Sequence, residues 1–398
     1  MSFASVPLGE IVEINPLHRE PVDARTEVSF LGMADVSELG TTTFGEVRPY
    51  GEVRTGYTSF RTGDVLVAKI TPCFQNGKIA QAQLEREIGA GSTEFHVVRA
   101  GKEVDGRYLL RFLRQDWVRV EGELRMTGSG GQRRVPEAYL RDLMIPLPSI
   151  TKQRRIAAVL DQVDTLRAKR RDAIALLDAL TRSLFFEMFG DPASSNSPWD
   201  RKMIGELGVV VTGNTPSRAR SEYYGDGIEW IKTDNIRPTE LNPSAAAERL
   251  SAAGESVGRV VPAEAILVTC IAGSPASIGN AALAGRRVAI NQQINAFIPE
   301  GHLSRFMLEQ IRVGKGLIQR KSTGAMTGLV NKSQFSSVTL LVPPMGRQQE
   351  FVHRVERVDS ERARSVRQLA TLDELFTSFQ NRAFSGTLGD HEATGEAA

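Results

Sequence analysis

The chain has 398 residues, of which 41% are hydrophobic and 24% charged, and its formal net charge is +2. This length exceeds one ordinary domain and suffices for two hydrophobic cores. Because the charge is nearly balanced, any binding of nucleic acid must depend on local basic patches. The sequence predicts neither a transmembrane helix nor a signal peptide. Cys73 and Cys270 have no CxxC or Cys/His partner, which favours a reducing cytoplasm and argues against structural zinc.

The first predicted domain, residues 1–147, combines short β-branched runs with one main helix and long polar loops. The run at 64–70 lies between glycine turns and predicts a strand, and residues 105–120 predict the helix. A loop that contains Gly, Thr and two arginines follows at 127–134. Together these features indicate a mixed α/β domain.

A long helix is predicted next, over residues 148–189, because nothing between 149 and 189 is Gly or Pro. Its apolar residues recur at spacings of three and four, close to a heptad seam: Ile156, Leu160, Val163, Ile174, Leu177, Leu184 and Met188. Such a helix would be about 55 Å long at ~1.5 Å per residue. Residues 190–202 begin with Gly-Asp-Pro and have the composition of a linker.

The same plan then repeats along the chain. Residues 203–342 form a second predicted α/β domain, with a strand at 265–271 and a helix at 303–319. A second long helix at 343–384 repeats the apolar positions of the first, about 195 residues later. Residues 385–398 carry Gly and Glu and are predicted to be a disordered tail.

The predicted fold class is therefore α/β, with two homologous mixed α/β domains separated by two long helices. The helices are expected to pack as an antiparallel coiled coil with pseudo-twofold symmetry, because their apolar residues recur at matching positions. Polar residues interrupt the two seams midway: Arg167 and Arg170, then Arg362 and Ser365. We expect these interruptions to meet, with Asp164 and Glu361 close enough to neutralise the arginines.

A catalytic constellation is not recognisable in this sequence. It contains no GxxxxGK[ST] phosphate loop, no HExxH, and no Asn/Asp-Pro-Pro-aromatic loop of the kind that adenine methyltransferases use. His96 and His302 lack a nearby Cys or paired carboxylate in sequence, so solvated or core-edge positions are expected. The chain is therefore predicted not to be an enzyme.

Two divergent domains on a rigid spacer suit the reading of two short elements on one elongated ligand. DNA is such a ligand, because side chains read base edges and a fixed spacer sets half-site separation. The candidate contacts of the first domain are polar and basic loop residues: Lys69, Gln75, Asn76, Lys78, Gln132, Arg133 and Arg134. Lys69 or Lys78 could equally be a solvated surface lysine, and the two arginines could simply cap the following segment.

The candidate contacts of the second domain also lie in predicted loops and strand ends: Asn214, Thr215, Ser217, Arg218, Lys232, Asn235, Gln292, Gln293 and Lys321. Hydroxyls and backbone N–H groups beside Arg218 suit phosphate contacts. An amide of Gln292 or Gln293 suits adenine, and Lys232 or Lys321 suits guanine or phosphate. Gln292 and Gln293 alternate along a predicted strand, so one of them at most is expected to face DNA. Tyr223, Tyr224 and Trp230 are expected to pack rather than stack on bases.

Specific strings in the second domain and at the two helix starts resemble a known family. Residues 213–218 read Gly-Asn-Thr-Pro-Ser-Arg, residues 223–231 read Tyr-Tyr-Gly-Asp-Gly-Ile-Glu-Trp-Ile, and both long helices open with Leu/Val-Pro-x-x-x-x-Gln. With its domain–helix–domain–helix order over about 5–384, the chain resembles the specificity subunits of type I restriction-modification systems. The first domain departs from the pattern, because 12–17 lacks the Gly-x-Thr-Pro-Ser string.

The resemblance implies two target-recognition domains that read the halves of an asymmetric, bipartite site in double-stranded DNA. It implies that the helices act as a ruler and as a docking platform for two methyltransferase subunits, with motor-nuclease restriction subunits added for cleavage. No cofactor is expected on this chain, since S-adenosylmethionine, ATP and Mg²⁺ would belong to the partners. Two alternatives stay open: a duplicated protein–protein adaptor without DNA binding, and a specificity module of another modification system.

Overall fold

The computed structural model describes residues 3–17, 21–129, 131–323 and 328–387. The chain divides into two compact units: unit 1 comprises Met1–Lys169 and Leu369–Ala398, and unit 2 comprises Arg170–Gln368. Each unit therefore contains one α/β domain and one part of each long helix. Residues 388–398 of the predicted tail lie outside the described residues.

The α/β domain of unit 1 is built from short strands and short helices. Its strands are β1 (Ser5–Pro7), β2 (Val12–Ile14), β3 (Glu27–Leu31), β4 (Glu46–Pro49), β5 (Thr58–Arg61), β6 (Val65–Ala68), β7 (Ile79–Gln81), β8 (Ile88–Gly91), β9 (Phe95–Ala100) and β10 (Met144–Pro146). Its helices are α1 (Leu8–Ile11), α2 (Tyr50–Val53), α3 (Gly106–Leu113), α4 (Asp116–Leu124) and α5 (Glu137–Asp142), and α6 (Ile150–Phe189) begins in this unit. One sheet has the order β2-β9-β6-β7, another has the order β4-β3-β8-β5, and β1 pairs with β10.

The α/β domain of unit 2 repeats this plan. Its strands are β11 (Asp200–Met203), β12 (Gly208–Thr212), β13 (Tyr224–Ile231), β14 (Arg249–Leu250), β15 (Arg259–Val261), β16 (Ile266–Thr269), β17 (Ile271–Ala272), β18 (Ala281–Leu283), β19 (Val288–Ile290), β20 (Ile294–Pro299), β21 (Gly328–Leu329) and β22 (Thr339–Val342). Its helices are α7 (Ala252–Val257), α8 (Ser304–Val313), α9 (Lys315–Gln319) and α10 (Lys332–Ser336), and α11 (Met345–Ser385) begins in this unit. The sheet orders β12-β20-β16-β18 and β14-β13-β19-β15 match those of unit 1 strand for strand. In both units the second sheet contains one parallel pair, β3 with β8 and β13 with β19.

The continuous apolar runs in the sequence become central strands with both faces covered. Along β6, Val65 and Val67 pack in the cluster that contains α3, whereas Leu66 packs on the opposite face with Phe60 and Phe95. In β16, Leu267 likewise faces away from its two neighbours in the strand. Successive side chains of a strand point to opposite faces, so a strand buried on both sides reads as an uninterrupted apolar run.

The long helices pack antiparallel inside each unit, as predicted. In unit 1, Ile156 and Leu160 of α6 share a buried cluster with Phe379 and Phe384 of α11. Further along α6, Arg167 pairs with Asp373, which precedes those phenylalanines, so the two helices run in opposite directions.

In unit 2, the rings of Phe185 and Phe351 lie 5.6 Å apart, and Asp178 pairs with Arg362. The partner of Phe185 therefore comes earlier in α11 than the partner of Asp178, which is again the antiparallel order. The rings of Phe185, Phe189 and Phe351 also pack against Phe306 of α8, which joins both helices to this domain.

The repeated glutamine at the helix starts is a buried clamp. Gln153 is fully buried; its amide donates to the carbonyl oxygens of Pro148 and Glu103, each at 2.9 Å, and accepts from the Asp105 backbone N–H at 2.8 Å. Gln348 makes two of these contacts in unit 2, donating to the Pro343 carbonyl and accepting from the Leu303 N–H, while its other contact is the His302 ring Nδ1 at 3.1 Å. Because α3 and α8 begin at these N–H groups, the glutamines join each long helix to the main helix of its domain.

One local prediction was wrong, and another was confirmed only in part. The helices predicted at 105–120 and 303–319 are each broken in two, at Arg114–Gln115 and at Gly314, because the backbone there departs from helical dihedral angles: ψ is 4° at Arg114, 140° at Gln115 and 19° at Gly314. The arginines of the seams also have partners other than those expected: Arg167 pairs with Asp164, as predicted, and also with Asp373. Arg362 pairs with Asp178, whereas Glu361 lies 4.0 Å from Arg364.

Candidate nucleic-acid interface

The four candidate DNA contacts within residues 69–78 lie in the turn that joins β6 to β7. They differ in whether the side chain already has a hydrogen-bond partner in the protein. Lys78 donates its ammonium proton to the Met33 carbonyl oxygen at 2.9 Å, and the Gln75 amide donates to Glu123 at 2.5 Å. Both side chains therefore hold the turn against the rest of unit 1. Lys69 is half-buried and Asn76 is exposed, and within the described residues neither side chain has a hydrogen bond or ion pair.

The basic segment 131–134 lies directly against this turn. The Thr71 backbone N–H donates to the Arg133 carbonyl at 3.0 Å, and the Thr71 hydroxyl donates to the Gly131 carbonyl at 2.6 Å. The Val135 N–H donates to the Lys69 carbonyl at 2.9 Å. The two candidate segments of the first domain therefore form one continuous surface. Gln132 is exposed on it, whereas Gly130 lies outside the described residues.

The two neighbouring arginines have opposite environments. The Nε and Nη2 groups of Arg134 donate to the two carboxylate oxygens of Glu94, at 2.9 and 2.7 Å, and Nη1 donates to the Gln132 carbonyl at 3.2 Å. Arg134 thereby lowers the pKa of the Glu94 carboxyl. The guanidinium of Arg133 contacts no acceptor in the described part of the chain, although its backbone is fixed to Thr71. Of these two arginines, only Arg133 offers a charge that no acidic side chain among the described residues compensates.

In unit 2, Asn214 holds the loop in place. Its side chain donates to the Val257 carbonyl and accepts from the Arg259 N–H, both at 2.8 Å. The backbone carbonyl of Asn214 accepts a hydrogen bond from the indole N–H of Trp230 at 3.3 Å. Asn235 is similarly occupied: it is buried, caps the turn at Lys232, and donates to Ser244 and Ala245. Both asparagine side chains therefore hold their loops in place, and their polar groups are already hydrogen-bonded within the protein.

Arg218, Lys232 and two aromatic rings surround Glu248. Arg218 Nη1 lies 2.7 Å from one oxygen of Glu248, and the Lys232 ammonium donates to the other. The Arg218 guanidinium also lies 4.5 Å from the Tyr224 ring centre and 5.2 Å from that of Trp230. The ion pair with Arg218 and the hydrogen bond from Lys232 lower the pKa of Glu248. Trp230 is buried, in agreement with its predicted packing role.

The remaining candidates of the second domain lie in turns and loops. Gln292 and Gln293 follow β19 in the turn before β20, so their predicted position along a strand was wrong. The exposed Gln292 accepts from the Thr215 hydroxyl, whereas Gln293 accepts from Asn291. Ser217 and Lys321 are exposed. Residues 324–327, which follow Lys321 in the chain, lie outside the described residues.

Acidic partners are the functional residues that the sequence analysis missed. Glu94 and Glu248 decide which cations are compensated, yet neither lies within a recognisable motif. Glu94 is 40 residues from Arg134, so its role depends on the pairing of β6 with β9. The only local signal was the aromatic pair Tyr224 and Trp230 near Arg218, which is typical of cation–π packing.

A family model described as type I restriction modification DNA specificity domain matches residues 3–176 and again residues 196–371. The chain belongs to this family. Each match covers one α/β domain and much of the long helix that follows it, so the specificity domain is present in two copies. The duplication seen in the sheet orders is thus a duplication of one specificity domain.

Two curated specificity subunits are similar to part of the chain. The EcoEI type I restriction enzyme specificity subunit of Escherichia coli is 38% identical over 161 residues, which is 40% of this chain and 27% of that subunit. The EcoAI specificity subunit of Escherichia coli is 39% identical over 163 residues, with the same shares. The chain spans about a quarter of the length of these relatives.

The specificity-domain fold is also found in a solved structure. A chain from work on complex assembly and conformational transition of the type I R-M system superposes with a TM-score of 0.62 at 19% identity, over 97% of this chain and 98% of that one. At this identity the likeness concerns the fold. None of the described helices is long and apolar enough to span a membrane, and the described residues form no cluster of metal-binding side chains.

Proposed function

We propose that this chain is the DNA sequence-recognition subunit of a type I restriction-modification complex, with each domain reading one half of an asymmetric, bipartite site. The observation that carries the proposal is the presence of two copies of the DNA specificity domain with different loop side chains on matching sheets. A duplicated scaffold presents two like surfaces, and unlike loops can then read unlike half-sites.

The proposed contacts fall into two classes. Lys69, Arg133 and Lys321 are cations without a partner among the described side chains, so they suit phosphate contacts, which position a domain without reading sequence. Asn76 and Gln132 are exposed amides whose side chains have no partner among the described residues, and an amide can make a bidentate pair with adenine. Gln292 is also exposed, but its oxygen accepts from Thr215, so its NH₂ group is the proposed contact. Arg134, Lys78, Gln75, Asn214 and Asn235 are proposed to shape the surface, because their polar groups already have protein partners.

In this proposal the chain recognises the target site on DNA, and its partner subunits carry out the chemical reactions. Two methyltransferase subunits bind along the helices and use S-adenosylmethionine, and restriction subunits use ATP and Mg²⁺. Each long helix belongs partly to both units, so its length is the natural determinant of spacer length. The chain itself is non-catalytic and acts in the cytoplasm, where the host DNA lies.

The test is co-expression of the chain with the methyltransferase subunits of its host, followed by base-resolution mapping of methylated adenines. A single bipartite motif that disappears when this chain is omitted is the expected result. Gel retardation of a duplex with that motif should then require both this chain and the methyltransferase. Methylation that is unchanged without the chain, or no retardation of any duplex, would instead favour an adaptor without DNA binding.

A further inference from the structure

The guanidinium of Arg218 is held by three neighbours that are themselves fixed. Glu248 pairs with its Nη1, and the rings of Tyr224 and Trp230 lie within 5.2 Å of its carbon. The Tyr224 hydroxyl donates to the Pro216 carbonyl at 2.6 Å, and the Trp230 indole donates to the Asn214 carbonyl. The two aromatic residues are thus hydrogen-bonded to the same loop that carries Arg218, and this arrangement restricts the rotamers of Arg218.

One edge of this guanidinium remains available. Its Nε and Nη2 groups have no acceptor among the described residues, and 56% of the side chain is exposed. These groups point to the same side of the planar guanidinium and form a two-donor fork. Arg134 shows the opposite case, since Glu94 occupies the corresponding Nε–Nη2 edge. A fixed position and a free fork thus occur together in Arg218.

A fixed guanidinium position matters little for a contact with phosphate, but it matters for a contact with a base. A phosphate contact needs charge, and a mobile side chain can supply it over a range of positions. Base recognition needs donors at set positions, and an arginine fork that meets O6 and N7 of guanine is the commonest specific contact in the major groove. An acidic neighbour weakens attraction to phosphate, so Glu248 would be unfavourable beside a purely electrostatic contact.

We propose that Arg218 reads the major-groove edge of one guanine in the half-site of the second domain. Glu248 acts as the positioning residue that holds the guanidinium in place. This assignment rests on the proposed DNA-recognition function and names the base class that one residue selects. It replaces the phosphate contact that the sequence analysis expected for Arg218.

The experiment uses the complex with its methyltransferase and the mapped recognition site. Each guanine of the two half-sites is replaced singly by 7-deazaguanine, which removes the N7 acceptor and keeps base pairing. With the wild-type chain, one guanine of the second half-site should lower affinity about tenfold to a hundredfold when replaced. With Arg218→Lys, the same replacement should change affinity less than about twofold, and methylation should extend to sites with another base there.

Two further variants separate base reading from fold and charge. Glu248→Gln should reduce discrimination at that same guanine while leaving the other guanines unaffected, an outcome that general destabilisation would not give. Arg237→Lys is the matched control, because Arg237 is an exposed arginine of the same unit, paired with Glu240 at 3.2 Å; discrimination should be unchanged. Circular dichroism should show all variants folded.

Several results would overturn the assignment. One is a half-site of the second domain that contains no guanine. Another is an Arg218→Lys variant that still distinguishes guanine from 7-deazaguanine as well as the wild-type chain does. A loss spread evenly over all sequences, with a salt slope reduced by about one, would identify a phosphate contact instead. Failure of the wild-type complex to retard any duplex would overturn the proposed function as well, so the two failures are distinguishable.

Discussion

Arg133 and Arg134 are adjacent in sequence, yet the structure predicts that only one of them contributes to DNA affinity. Binding to phosphates releases counterions, and each contact contributes about −0.9 to the slope of log K against log salt. The Arg133 guanidinium has no partner among the described residues, so Arg133→Ala should reduce the magnitude of the slope by about 0.9. Between 50 and 200 mM salt, a fourfold change, wild-type affinity should then fall about 3.5-fold more than that of the variant.

The matched control is Arg134→Ala combined with Glu94→Ala, because both oxygens of Glu94 already neutralise that guanidinium and the double variant removes the pair without leaving an unpaired carboxylate. Its slope should equal the wild-type value. Glu94→Gln should steepen the slope by up to about one, because it releases the Arg134 charge. The assay is fluorescence anisotropy of a labelled duplex with the partner complex at four salt concentrations. Equal slope changes for the two arginine variants would refute the reasoning, since they would show that ion pairing with Glu94 does not decide availability.

The remaining predictions concern the clamp, a buried histidine and the long helices. Gln153→Ala removes one buried hydrogen bond, to the Pro148 carbonyl, and two part-buried ones, to the Glu103 carbonyl and from the Asp105 N–H. At up to about 1 kcal/mol each, unfolding in urea should show a loss of up to about 3 kcal/mol; a loss below about 1 kcal/mol would mean that water replaces the amide. Burial lowers the pKa of His96 from 6.5, so the unfolded chain binds more protons below that value and stability should fall as the pH drops from about 7 towards 5. His96→Asn, which introduces the residue found at the matching position Asn295, should remove this dependence in thermal melts; a persisting slope would assign it to another group. Deleting seven residues from both α6 and α11 shortens each helix by about 10 Å, and mapped methylation should show a changed spacer with the same half-sites; changed half-sites with an unchanged spacer would contradict the ruler.

The outline of the fold was predictable from local patterns. The long helices are continuous from Ile150 to Phe189 and from Met345 to Ser385, close to the predicted bounds. Apolar spacing and the adjacent prolines and glycines act between neighbours in sequence, so they can be read without the fold. The same locality explains the failures at Arg114 and Gly314, where a short break interrupts an otherwise helical pattern.

The sequence by itself determined that two like α/β domains alternate with two long helices, because repetition and periodicity are properties of the chain alone. Only the tertiary structure decided which polar side chains are free to meet a ligand. Lys78 and Lys69 are both lysines of one turn, yet one is bound to the Met33 carbonyl and the other has no partner among the described residues. Arg134 and Arg218 are both paired with glutamates, but only Arg218 keeps its two-donor edge available. Those differences arise from residues brought together by strand pairing, often tens of positions apart, which no local pattern records.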